Sequence, residues 1–174
     1  MVLESALCEC SIQVDEQPIY SLKEKRICAL EALSRLFDGE LGYSPPAEFI
    51  PIAEKNGDII RIGEIVLEEC CKFLSKHVLS NMSLGIRSIQ INISVAQCMQ
   101  QNLKEAILPI LQKYHIPTSM IVLELTESTA INAPALMDHH MKELGDAGIS
   151  FAMADYGTGS ANCSYLMRFP FQEV

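Results

Sequence analysis

At 174 residues the chain has room for one domain with a sizeable core. With 49% hydrophobic and 20% charged residues it has the composition of an ordinary globular protein. A formal net charge of −9 argues against a partner that is a DNA or RNA polymer, which would require a basic stripe, and leaves room for one small anion held locally by Arg and a metal ion.

In chain order, residues 2–10 show helical spacing of Val2, Leu3, Ala6, Leu7 and Cys10. "SIQVDEQPIYSL", the charged turn "KEKR" and "ICALEALSRL" then predict a hairpin. "FDGELGYSPP" reads as a loop. "SPPAEFIPIAEKNG" predicts a short helix with Ser44 as N-cap, the prolines in its first turn and Asn56-Gly57 as its stop. A long amphipathic helix follows from Asp58 to about Leu79, with Ile59, Ile62, Val66, Cys70, Phe73 and Leu74 on one face. The chain then alternates: strand 88–94, helix 95–114, strand 119–128, helix 134–147 closed by Gly148, strand 149–157, helix 160–169 and the start of another strand. Repeated strand–helix units of this length predict an α/β fold with a parallel sheet and helices outside it.

The seven cysteines form no Cys-x-x-Cys pair, and Cys70 and Cys71 are adjacent in a helical pattern. They read as reduced thiols serving as small core residues, which places the chain in the cytoplasm. The N-terminus has no basic start and long apolar stretch of a signal peptide, and no run approaches the roughly 18 apolar residues of a membrane span, so no membrane contact is expected in this segment. His139 and His140 point roughly 100° apart on their helix and read as surface residues, while His77 and His115 suit helix C-termini. Tyr43 reads as a packing residue.

The positions of the oxygen-bearing side chains are informative. Glu31 ends "ICALEAL", Asn92 and Ser94 end "SIQINIS", Glu124, Thr126 and Glu127 end "MIVLELTES", and Asp155 ends "ISFAMAD". In α/β barrels and open α/β sheets the ligand site lies at this end of the strands. Strand parity puts Gln90, Asn92 and Ser94 on one face, and Glu124 with Val122 and Thr126. A carboxylate in such a strand is costly unless it is paired, protonated or bound to a cation. Carboxylate and amide donors without His or Cys at ligand spacing favour Mg²⁺, Mn²⁺ or Ca²⁺ over Zn²⁺. Any one of these residues alone would read as the cap of the next helix.

The motifs "QPIY" (17–20), "EAL" (31–33), "SPPAEFIPIAEKNG", "INIS", "LELTES" and "DYGTG", in this order, resemble the EAL-domain family of cyclic di-GMP phosphodiesterases from about residue 12 onward. Residues 1–11 would be a helical lead-in and 12–174 a partial EAL domain. The resemblance implies a TIM-like (β/α) barrel whose first strand is antiparallel, and hydrolysis of cyclic di-GMP to pGpG with Mg²⁺ or Mn²⁺, Ca²⁺ being an inhibitory ion. It implies Glu31, Asn92, Glu124 and Asp155 as metal ligands, and Gln17, Leu33 and Arg35 as groove residues, with Arg35 on a phosphate. Thr126 and Glu127 would support the loop after the Asp-containing strand. Two metals would lower the pKa of a water and neutralise charge on the phosphodiester.

Two departures qualify the expected activity. Family members that hydrolyse the ligand carry two consecutive Asp residues where this chain has Ala154-Asp155, so the metal-bridging position is lost and metal is expected to bind weakly or not at all. By parity Ala154 shares a face with Ala152, and Asp155 with Met153, so Asp155 is no simple substitute. The family's later Lys, Glu and Gln are also absent, and the chain supplies about two-thirds of a ~250-residue barrel. The expectation is an incomplete barrel without a complete catalytic set, impaired in hydrolysis, whose open side is covered by self-association or domain exchange. The alternative is a non-catalytic module binding cyclic di-GMP or a protein.

Overall fold

The structure is a computed structural model that describes residues 12–39, 42–80, 84–126 and 134–154. The expected lead-in helix, the strand end after Ala154, the 160–169 helix and the positions Glu127, Asp155 and Cys163 lie outside the described residues.

The predicted hairpin forms. Strands β1 (Ile12–Ser21) and β2 (Arg26–Asp38) pair antiparallel from Ile12↔Leu36 to Ser21↔Arg26, with an irregularity between Ile19 and Tyr20. Their turn is closed by Lys25 N–H donating to the Ser21 carbonyl at 2.7 Å, with Lys25 in the left-handed region at φ 55. The segment 37–46, predicted as loop, instead contains β3 (Gly42–Ser44), whose three residues pair with the overhanging end of β2. That pairing also removes Ser44 from its expected role. Pro46 takes the first helical position, so Pro45 stands at the N-cap of α1 (Pro46–Asn56) and no side chain caps it. Gly57 ends α1 in the left-handed conformation at φ 88, as the Asn-Gly signal predicts.

Helix α2 (Ile59–Phe73) buries Ile59, Ile62, Val66 and Cys70 and continues into a π turn over Leu74–Leu79. The helix predicted over 95–114 is two. A reciprocal capping box starts α3 (Val95–Cys98): the Gln97 N–H donates to Ser94 Oγ at 3.3 Å, and the Ser94 N–H to Gln97 Oε1 at 3.0 Å. Asn102 then stands at the N-cap of α4 (Leu103–Lys113), and His115 turns the chain at its end with φ 56. β4 (Ser88–Asn92), β5 (Ile121–Thr126), α5 (Pro134–Asp146) and β6 (Ser150–Ala154) complete the described elements.

The sheet order is β1-β2-β4-β5-β6, with β3 on β2. β2, β4, β5 and β6 are parallel and β1 is antiparallel to them, as the fold class requires. One face carries Leu30, Ala32, Ile89, Ile91, Ile121, Leu123, Leu125, Phe151 and Met153, all buried in one core with α2, α4 and α5. The opposite face carries Glu31, Gln90, Asn92, Glu124 and Ala152. The outer helices thus hold the parallel strands in register, and their C-terminal ends lie along one edge. Among the described residues no helix is long and apolar enough to cross a membrane.

Cys28, Cys70, Cys71 and Cys98 are buried free thiols, as expected. Burial pushes the Cys71 and Cys98 thiols up to about 12, so both are packing residues at neutral pH. The surface reading holds for His139, half exposed and 3.2 Å from Glu143, but not for His140, which is 1% exposed. Met137, Met141 and Leu144 define the inward face of α5, and His140 shares it. Both of its ring nitrogens are buried and find no hydrogen-bond partner among the described residues. Buried polar nitrogens left so cost about 1–3 kcal/mol, so His140→Leu is expected to stabilise the fold by about 1 kcal/mol. A urea midpoint that falls in this variant would contradict that account.

Glu16 projects from β1 on the face opposite Asp15 and Gln17. Burial raises its carboxyl above the ordinary 4.5, with Asp15 and Glu69 adding to the rise and a backbone hydrogen bond and His77 opposing it. The folded state therefore holds this proton more tightly than the unfolded chain, and stability falls as pH rises from about 4.5 through the raised folded value. Glu16→Gln is expected to melt higher than the parent at pH 7, with the gap closing as pH is lowered toward 4.5. A gap that widens on acidification would reverse the sign.

Candidate functional site

Parallel pairing aligns the strand-end donors. Glu31 on β2 lies opposite Gln90 on β4, and two residues further Asn92 lies opposite Glu124 on β5. Glu124 in turn lies opposite Ala152 on β6. Residues opposite one another in a sheet project from the same face, so Glu31, Asn92 and Glu124 stand side by side near its C-terminal edge. Asn92 Nδ2 donates to Glu31 Oε1 at 3.4 Å, a long bond that already brings the two side chains together.

Glu31 and Glu124 are partly exposed and Asn92 is exposed, while Oε2 of Glu124 is shielded from solvent. Gln90 and Ala152, beside them on this face, are buried. The site is therefore a polar rim above a close-packed floor. No cluster of three His, Cys, Asp or Glu side chains is present among the described residues. The donors that come together are two carboxylates and the amide oxygen of Asn92, a set suited to a hard divalent cation.

The other expected residues divide. Gln17 lies opposite Glu31 across the hairpin and is exposed at the rim. Leu33 and Arg35 follow Glu31 on the same face of β2 by alternation. Leu33 and Asn92 also border a cavity of about 370 Å³ beneath α1 and α2, together with Ser34, Ser94 and Gln97. Thr126 lies opposite Ala154, two residues beyond the Glu124–Ala152 pair. Tyr43 packs on Phe37, ring centroids 5.5 Å apart, as a packing role predicts, though it remains half exposed.

Two contributors were missed in the sequence. Asp15 sits on the groove face of β1, and its Oδ2 is 2.8 Å from Arg35 Nε. The alternation Gln13, Asp15, Gln17 carried that signal. The Ser94–Gln97 capping box fixes the turn just after Asn92, and its Ser-x-x-Gln pattern was likewise present. Gly63 of α2 makes room for it: a Cβ there would collide with the side-chain amide of Gln97.

A family model described as the EAL domain matches residues 2–174. The signaling protein YkoW of Bacillus subtilis (strain 168) is 34% identical over 174 residues, which is 100% of this chain and 21% of that protein. The bifunctional diguanylate cyclase/cyclic di-GMP phosphodiesterase MucR of Pseudomonas aeruginosa is 29% identical over 172 residues, 99% of this chain and 25% of that protein. Among solved structures, that of the PaMucR phosphodiesterase in complex with c-di-GMP matches with a TM-score of 0.87 at 30% identity, over 97% of this chain and 68% of that one. The chain thus spans a quarter or less of the length of these two curated relatives.

Proposed function

Because this chain belongs to the EAL-domain family, we propose that it binds cyclic di-GMP with a divalent cation at the C-terminal edge of its sheet, and that it hydrolyses the ligand poorly. The observation that carries the reading is the juxtaposition of Glu31, Asn92 and Glu124, whose side chains share one face of three adjacent strands. Mg²⁺ or Mn²⁺ held there would neutralise phosphodiester charge and lower the pKa of a water. The chain's own residues bind and orient: Leu33 and Gln17 line the groove, and Arg35 reaches a phosphate. Asp155 and Glu127 belong to the same proposal, as a further metal ligand and as loop support beside Thr126.

Poor hydrolysis follows from Ala154. It stands on the Thr126 rung, two residues beyond Ala152 on β6, where the family's first Asp would supply a bridging carboxylate. Losing one such group typically costs two or more orders of magnitude in rate. The free thiols of Cys28, Cys70, Cys71 and Cys98 support a cytoplasmic setting. The proposal includes self-association along β6, which among the described residues pairs only with β5; light scattering tests it.

Calorimetric titration with cyclic di-GMP, with and without Mn²⁺, combined with chromatography of pGpG, tests the reading. Binding that strengthens with Mn²⁺ and slow or absent pGpG formation are expected. Absence of binding at millimolar ligand would refute the ligand assignment, and rapid turnover would refute the impairment.

A further inference from the structure

The guanidinium assigned above to the phosphate is already engaged. Arg35 Nε lies 2.8 Å from Asp15 Oδ2, and Arg35 Nη1 donates to the Ser34 carbonyl at 3.1 Å. The hairpin register makes this a diagonal pair: Asp15 lies opposite Leu33, and Gln13 opposite Arg35. Gln17, Glu31, Leu33 and both members of the pair therefore share one face. The Arg35 side chain is 22% exposed and that of Asp15 is 64% exposed, so the acid is the more exposed member of the pair. A phosphate that engages Arg35 must share or displace this carboxylate contact.

We propose that Asp15 is a built-in competitor for the phosphate subsite, which sets how tightly this groove holds cyclic di-GMP. The inference rests on the ligand reading above. An exposed ion pair is weakly held, so an incoming phosphodiester can take over the guanidinium. The displaced carboxylate stays on the same strand face, close to the phosphate charge, and repels it. The cost is electrostatic and is screened by salt. Ligand affinity should therefore be lower than Arg35 alone would give, and the deficit should shrink as salt is added.

The test is calorimetry with cyclic di-GMP in Ca²⁺, which supplies the cation while suppressing turnover, on the parent, Asp15→Asn, Arg35→Ala and the double variant, at low and high salt. Circular dichroism confirms that each is folded. Asp15→Asn should bind about three- to tenfold tighter than the parent in low salt, and the gain should shrink at high salt and in the Arg35→Ala background. Tighter binding by Asp15→Asn where the parent shows none would support the inference in stronger form. Equal or weaker binding by Asp15→Asn, with the parent binding, would overturn it and leave the ligand reading intact. No binding by any variant, Asp15→Asn included, would refute the ligand reading and this inference with it. A gain of the same size in the Arg35→Ala background would overturn competition for Arg35.

Discussion

Ala154→Asp is expected to raise the affinity of the chain for Mn²⁺ by about tenfold or more and its rate of pGpG formation by about a hundredfold. The sheet register is the basis. Glu124 lies opposite Ala152 and Thr126 opposite Ala154, so position 154 shares the face of the Glu31–Asn92–Glu124 group, one step nearer the C-terminal edge. A third carboxylate there would complete a donor set that now holds two carboxylates and an amide. Ala154→Asn is the control, because it matches the shape without the charge. If neither Mn²⁺ affinity nor pGpG formation rises in the Asp variant, position 154 is not the missing metal position.

Leu125→Ala is expected to destabilise the fold by about 3 kcal/mol, the usual cost of deleting a fully buried Leu side chain and leaving part of the space empty. Leu125 is 0% exposed and lies opposite Met153, on the face of β5 that packs against the helices. It is also the residue between Glu124 and Thr126, so the site depends on its anchorage. Urea unfolding with an unchanged slope and a lower midpoint would report this loss. A change below about 1 kcal/mol would mean that the strand end is held by something other than this packing.

Much of the site was legible because strand geometry is simple. Alternation alone put Gln90 with Asn92 and Val122 with Glu124, and the position of each polar residue at the end of an apolar run placed Glu31, Asn92 and Glu124 toward the C-terminal edge of the sheet, where the structure finds them on one face. Alternation does not give register. That Asn92 meets Glu124 while Glu31 meets Gln90 depends on how the helices seat the strands, and only the fold supplies it. The three-residue β3 was missed because so short a segment is extended only through its pairing with β2. The break between α3 and α4 was missed because the polar run Gln100–Asn102 still fits one amphipathic pattern. His140 was a different failure. Met137, Met141 and Leu144 already marked the inward face, and the spacing that placed them inside placed His140 there too.

The strand order also bears on how the molecule is assembled. Apart from β3, each strand pairs with the strand that precedes it in the chain, beginning with a hairpin closed by a four-residue turn. The hairpin contacts are local, whereas β2 and β4 pair across a long intervening stretch (Ala29↔Ser88), so the hairpin can form first and the parallel pairings close later, at a greater loop-closure cost, as the chain emerges during synthesis. Glu31 and Asn92 would meet as soon as β4 docks, whereas Glu124 arrives only with β5. The candidate site is thus completed late, after the scaffold that aligns it has formed.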